Sequence, residues 1–325
     1  MKILEILLMG MLIIALAFGT VIFIQSLPGE SEKYQTYSAN LTASGDELAG
    51  LTEESAQFYP RMRYPTRVIS YRLESTCPPS RWIDTQSAFD ILSEKTILQF
   101  YYSKDAGEKP DITIHCSEIV PSEAEYQRIK GHFIAGEGGP TEILVNASLY
   151  GTMILGGNIS LYKEERCDRP QIAIHEILHA LGFDHNTNQN SILYPVSSCL
   201  QEIDQYIIDE INRIYSIEPN PDLMIDRIEA NRTGRYLNFI INISNRGLKD
   251  AGEAYLEVYA GQQRAYNYTL GSVEIGEMHK LHVQNVRIPY DSGRIAFVVS
   301  AGKNEMEMNE ANNRVEVSLA ISDDN

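Results

Sequence analysis

The sequence predicts an α+β domain followed by an all-β sandwich, the pair standing behind an apolar N-terminal helix. Ile6–Ile24 reads ILLMGMLIIALAFGTVIFI, nineteen positions without a charge. Between Arg67 and Ser216, runs of period-two alternation are interspersed with runs of helical period. Beyond the proline-bearing EPNPD at 218–222 the helical period disappears, and about seven short alternating runs separated by turn residues follow, the pattern of a β-sandwich.

As a helix, Ile6–Ile24 would span roughly 28 Å, close to the hydrocarbon thickness of a bilayer. A cleaved signal has a shorter apolar region followed by small residues. ALAF at 15–18 offers a cleavage point after Ala17, but the apolar run continues through Val21, Ile22, Phe23 and Ile24, which favours an uncleaved anchor in residues 1–25. Lys2 and the amino terminus lie on one side and GESE (29–32) on the other, although Glu5 partly offsets Lys2. The positive end stays in the cytoplasm, so residues 26–325 are expected outside a cell membrane crossed once, or secreted if the segment is cleaved.

Residues 26–65 are polar, with little periodicity, and read as a stalk or linker. The first folded unit is expected at 66–217. RVISYRL (67–73) alternates as a strand, and WIDTQSAFDILSEKT (82–96) places Ile83, Ala88, Phe89, Ile91 and Leu92 near helical spacing. ILQFYYS (97–103), DITIHC (111–116), TEILVN (141–146) and NISLYK (158–163) read as strands, the last two separated by ASLYGTMILGG. GEGGP (136–140) reads as a turn. Helices follow at 169–182 and 200–216, the second with an i, i+3, i+4, i+7 apolar face. The second unit, 218–325, holds the seven runs LMIDRIEA, YLNFIINISN, AYLEVYAG, RAYNYTL, KLHVQNVRI, RIAFVVSAG and RVEVSLAI.

Composition is ordinary for a globular chain, 43% hydrophobic and 22% charged, with a net charge of −17. That balance argues against a nucleic-acid partner, which needs clustered Lys and Arg. Cys77, Cys116, Cys167 and Cys199 all precede the boundary at 218 and form no close CxxC pair. An exported chain would join them in two disulfides, with three connectivities open; Cys77–Cys116 with Cys167–Cys199 is favoured because those segment ends should meet. Asn-x-Ser/Thr acceptors at Asn40, Asn146, Asn158, Asn231, Asn242 and Asn267 agree with an outside location, each weakly.

The chemistry lies in HEILHALGFDH, residues 175–185. His175 and His179, four apart on a helix, stack one turn above the other, so both imidazoles reach one ion. Glu176 is rotated about 100° round the helix and reaches a metal-bound water without being a ligand. Gly182 ends the helix in a left-handed turn that returns His185 to the same ion. Three imidazoles and a water make tetrahedral zinc with an open position, which lowers the water's pKa and polarises a carbonyl. Glu176 then suits the general base. His115, His132, His279 and His282 show no comparable spacing.

HEILHALGFDH matches HExxHxxGxxH, and residues 65–216 resemble a metzincin zinc peptidase, closest to the matrixins. The resemblance implies a mixed five-stranded sheet with the active helix beneath it, Zn2+ on His175, His179 and His185, and Glu176 as base. Its second landmark is a tight turn with methionine under the zinc. SILYPV (191–196) follows at matrixin-like distance, with Leu193 in the methionine position, a volume-conserving exchange. Tyr194 and Pro195 would line the pocket for the residue after the cleaved bond. Matrixins have a tyrosine two positions after this proline where this chain has Ser197, so the shape of that pocket does not carry over. Residues 26–65 hold no cysteine for a matrixin-type switch; SGD with Asp46 is similar to the aspartate switch of astacin propeptides, but a stalk is the better reading. Extended peptides would bind by strand addition along QRIKGHFIA (127–135) or TEILVN (141–146).

PDL at 221–223, then N-x-G at 245–247 and NEANN at 309–313, resemble a CARDB domain, a cell-adhesion-related immunoglobulin-like module, over about 219–321. It is expected to position the peptidase or hold a surface partner. The acidic NEMEMNEANN most simply makes a turn; structural Ca2+ there is the less favoured reading. The whole is expected to be a membrane-anchored, extracytoplasmic zinc endopeptidase acting on proteins or peptides. The alternative is a non-catalytic surface adhesion protein with a structural metal, against which the intact Glu176 weighs.

Overall fold

The computed structural model describes residues 31–33, 57–105, 107–117, 135–164 and 166–319. The apolar stretch 6–24, Asp46 and all of 127–135 except Ala135 lie outside these residues. Among the described residues no helix is long and apolar enough to cross a membrane.

Strand β1 (Ser31–Lys33) is followed by β2 (Val68–Leu73), helix α1 (Pro79–Lys95), β3 (Gln99–Tyr102), β4 (Ile112–Cys116), β5 (Gly136–Ser148), β6 (Gly151–Leu161), α2 (Gln171–Ala180) and α3 (Gln205–Tyr215). Strands β2 to β6 form the expected five-stranded sheet in the order β3-β2-β4-β6-β5. It is mixed: β2 pairs in parallel with β3 and β4, β4 with β6, and β5 alone runs antiparallel, at the edge. Buried Ile69, Tyr71, Ile112, Ile114 and Ile159 of the sheet pack with Phe89 and Leu92 of α1, Ile174, Ile177 and Leu178 of α2, and Ile207, Ile211 and Ile214 of α3. The last three sit at i, i+4 and i+7, which explains why α3 closes this core. Disulfides join Cys77 to Cys116 and Cys167 to Cys199.

Two sequence expectations are corrected here. GEGGP is no turn but the first part of edge strand β5, and the reason is proximity to α2. A Cβ on Gly136 would come within 2.7 Å of the Glu176 side chain, and one on Gly138 within 2.3 Å of the Glu176 carbonyl oxygen. The glycines serve close approach of strand to helix, which in sequence looks like a turn. Likewise most of ASLYGTMILGG belongs to β5 and β6, leaving only Leu149 and Tyr150 as the hairpin turn.

The packing also begins before residue 66. Phe58 donates its N–H to Gly182 O at 3.0 Å, Arg63 N to Thr152 O at 3.0 Å, and Ile154 N to Arg63 O at 2.7 Å. Met62, Arg63 and Tyr64 are buried. The Arg63 guanidinium lies 4.6 Å from the centre of the Tyr215 ring and donates to Ile214 O.

The second unit consists of β7 (Leu223–Thr233), β8 (Tyr236–Asn245), β9 (Ala251–Ala260), β10 (Gln263–Val273), β11 (Glu277–Arg287), β12 (Arg294–Ala301) and β13 (Arg314–Ser318), one strand for each expected run. They form two sheets, β1-β11-β8-β7 and β10-β9-β12-β13. Between them the inward residues interdigitate, with Phe239 of β8 edge-on to Phe297 of β12 at 5.0 Å. The two units touch where the β5–β6 turn meets this sandwich: Leu149 N donates to Arg246 O at 3.0 Å, Arg246 Nη1 to Asn146 O at 2.7 Å and Tyr150 Oη to Asp222 Oδ2 at 3.0 Å. Buried Leu144, Ala147, Met153 and Leu248 pack beside them.

Candidate metal centre

Helix α2 presents His175 and His179 from successive turns, and Gly182, at φ +92°, turns the chain back so that His185 joins them. The three Nε2 atoms converge: 3.0 Å between His175 and His179, and 3.2 Å from His185 to each. A tetrahedral ion bound at about 2.0–2.1 Å separates neighbouring nitrogens by roughly 3.3 Å, so the set fits zinc.

The opposite ring nitrogens decide what the converging atoms are. His175 Nδ1 lies 2.6 Å from Ile192 O and His179 Nδ1 lies 2.7 Å from Phe183 O. A carbonyl only accepts, so both Nδ1 atoms carry the proton and both Nε2 atoms present lone pairs. Facing lone pairs cannot bond each other; a cation between them resolves the contact. Burial, and then a neighbouring imidazole, pushes each histidine down to about 3, which keeps the rings neutral and able to ligate. Among the described residues this triad is the one group of three or more His, Cys, Asp or Glu side chains placed to hold a metal. His115 instead faces Glu74 at 2.8 Å, His279 faces Glu277 at 3.4 Å and His282 lies 3.0 Å from Gln284; His132 lies outside the described residues.

Glu176 is buried beside this set. Burial, with Glu137 adding like charge, pushes its carboxyl up to about 8. Glu137, on β5, accepts a hydrogen bond from Tyr162 Oη at 2.9 Å. The turn at 191–195 runs under the triad. Leu193 is fully buried in the core of the first unit, its N–H donating to Ser191 Oγ at 3.0 Å and its carbonyl accepting from Asn186 N at 3.0 Å. The preceding carbonyl, Ile192 O, is the one that orients His175, so the turn acts on the site through backbone. Tyr194 and Pro195 are half-buried at its rim, and Ser197 is exposed. The Cys167–Cys199 bond closes a loop that contains the triad, Glu176 and this turn.

The edge strand supplies a peptide ladder. Gly157 N donates to Asp111 O, away from β5, so Gly157 and its partner Pro140 form a non-hydrogen-bonded pair. The backbone groups of Pro140 therefore face outward, as do those of Gly138 and Gly136 by alternation. Gly136 and Gly138 each offer an N–H and a C=O to an added strand; Pro140 offers only C=O. Of the two edges expected for substrate, TEILVN lies on β5 but past Pro140, and the ladder nearest Glu176 is the glycine stretch. Phe58, whose ring centre lies 6.0 Å from that of His179, and Glu137 are neighbours that carry no sequence motif. The alternation of glycines at 136 and 138 was the available signal for the ladder.

Residues 67–216 match the matrixin family model and residues 220–317 match the CARDB model. No curated protein matches the chain. Among solved structures, the chain is similar to a CARDB domain from Pyrococcus furiosus crystallised in complex with di-metal ions, at 22% identity over 33% of this chain and 99% of that one, with a TM-score of 0.27. It is also similar to high choriolytic enzyme 1, a hatching-enzyme zinc protease from the medaka fish Oryzias latipes, at 15% identity over 47% of this chain and 92% of that one, with a TM-score of 0.30.

Proposed function

We propose that this chain, a matrixin zinc metalloendopeptidase of the metzincin type followed by a CARDB domain, hydrolyses extended protein or peptide segments outside the cell while anchored by residues 6–24. The observation that carries the catalytic part is the convergence of His175, His179 and His185 through Nε2, with two of the opposite nitrogens fixed by backbone carbonyls. Bound there, zinc supplies an acidified water and polarises the scissile carbonyl.

The chain's own residues do the rest. Gly136 and Gly138 pair with the substrate backbone and hold its carbonyl over the triad. Glu176 accepts the proton of the attacking water as the oxygen–carbon bond forms, then delivers it to the departing amine as the carbon–nitrogen bond breaks. Its burial raises its affinity for a proton, so the proton taken from the water is held until the amine departs. Tyr194 and Pro195 border the pocket for the residue after the cleaved bond. The placement outside rests on the length of the apolar stretch, Lys2 on its N-terminal flank and the two disulfides.

Digestion of a peptide library by the full-length chain tests the reading, alongside Glu176→Gln and a chelated sample. Cleavage by the native chain, lost in both controls while Glu176→Gln keeps its zinc, is the expected result. Undiminished cleavage by Glu176→Gln would remove that residue from the mechanism. Protease protection of the anchored chain in sealed vesicles reads the side on which 26–325 stands.

A further inference from the structure

Edge strand β5 meets the metal centre at one end and the CARDB domain at the other. Near Glu176 it offers the backbone of Gly136 and Gly138; at its far end Asn146 O accepts from Arg246 of the sandwich, and the turn residue Leu149 donates to Arg246 O. Gly138 and Asn146 are eight residues apart, at most about 27 Å were the strand fully extended. Pro140 interrupts the ladder on the way, since it brings no N–H to the outer edge, and the register shifts between Pro140 and Glu142, between Glu142 and Ile143, and between Leu144 and Ser148. A substrate can therefore use backbone pairing only close to the cleaved bond, and beyond it must be held by side chains.

The side chains at the far end suit a polypeptide without strong net charge. Arg246 lies 3.6 Å from Asp226, and Lys109 is paired with Glu142, so each of these two cations is met by a carboxylate. Leu149 stands 53% exposed at the turn, directly against the CARDB domain through its own backbone hydrogen bond. The apolar side chain held out there is open to an extended segment that follows the path.

We propose that the junction between the β5–β6 turn and the CARDB domain, centred on Leu149 and Arg246, is a remote binding surface for the part of a protein substrate N-terminal to the cleaved bond. The direction follows from antiparallel addition to β5, the more stable ladder: the N-terminal side of such a substrate runs towards Asn146. The CARDB domain is then part of the substrate site, and the enzyme prefers long, unfolded segments to short peptides. This rests on the peptidase reading above.

Nested peptides sharing one cleaved bond, with about four, eight or twelve residues before it, test the proposal beside a matching set extended after it. For the full-length chain, kcat/KM is expected to rise at least about fivefold from four to eight residues on the N-terminal side, through KM, with little dependence on salt. Leu149→Asp and Arg246→Met are each expected to remove that gain and leave the four-residue peptide as fast as before. A gain that is absent, lies on the C-terminal side or survives both substitutions overturns the proposal, as does an equal loss for all lengths. Affinities of the same peptides for zinc-loaded Glu176→Ala, read by fluorescence anisotropy, keep the two readings apart. Length-dependent affinity without cleavage by the native chain would sink the peptidase reading alone, whereas affinity independent of length sinks the remote surface.

Discussion

Replacing both Cys167 and Cys199 by alanine should destabilise the peptidase domain and weaken its hold on zinc, while replacing Cys77 and Cys116 should do only the first. The two bonds span similar separations, 32 and 39 residues. Loop-closure entropy then assigns each about 4 kcal/mol at 25 °C. For a domain of this size that amounts to a fall in the thermal midpoint of very roughly 10 °C. What differs is what each loop contains. His175, Glu176, His179, His185 and Leu193 all lie within 167–199, and the Ile192 carbonyl that orients His175 lies seven residues before Cys199. The 77–116 loop holds α1, β3 and β4 and no residue of the triad. Calorimetry of the chelated proteins should show the two double variants falling alike. Zinc titration against a competing chelator should then separate them, with affinity reduced at least about tenfold in the first, the scale seen when groups that orient metal ligands are lost. Saturating zinc at about a thousand times its dissociation constant adds about 4 kcal/mol and should mask the thermal loss in the second variant more fully than in the first. Equal zinc affinity in the two variants would refute the assignment of the Cys167–Cys199 bond to the site.

Gly138→Ala should cost at least about 1–3 kcal/mol and most of the activity, because its Cβ would meet backbone 2.3 Å away rather than a movable side chain; native stability and turnover would mean that β5 does not lie so close to α2. Leu193→Met should keep zinc and change stability by less than about 1.5 kcal/mol, whereas Leu193→Ala, which empties a fully buried position, should cost about 2–5 kcal/mol by urea denaturation. The pH dependence of Glu176 has an opposite sign to that of the histidines. Its folded value of about 8 lies above the ordinary 4.5, so the folded chelated chain binds the extra proton, and its contribution is fullest below 4.5 and is lost as pH rises through 8. The histidines, drawn from 6.5 down to about 3, contribute stability that is present above 6.5 and lost as pH falls towards 3. Chelated Glu176→Gln should therefore be stabilised relative to the native chain at pH 8 and not at pH 4; a difference independent of pH would show that Glu176 is not held in a buried, charge-averse place.

The parts of the site that were legible in the sequence are those that local geometry fixes. His175 and His179 are one helical turn apart whatever surrounds them, Gly182 allows the return that only a positive φ permits, and His185 follows within reach. The seven sandwich strands were legible for a similar reason, since alternation is a property of each strand alone. Arg63 was not, because a fully buried arginine between Tyr215 and the Ile214 carbonyl has the same letter as a solvated one in a stalk, and its burial comes from residues about 150 positions away. Pairing of β1 with β11 is hidden in the same way: three polar residues acquire strand geometry from a remote edge. GEGGP shows the limit most sharply. Glycine licenses both a turn and a close approach, and only the position of Glu176 decides between them. Yet the period was there to be read: glycines at 136 and 138, two apart, put both missing side chains on one face of a strand, as a neighbour pressing on that face demands. A turn has no reason to keep that period. A period-two glycine pair leading into an alternating apolar run therefore argues for an edge strand pressed on a helix, and in this chain the helix is the one that carries two of the three converging histidines.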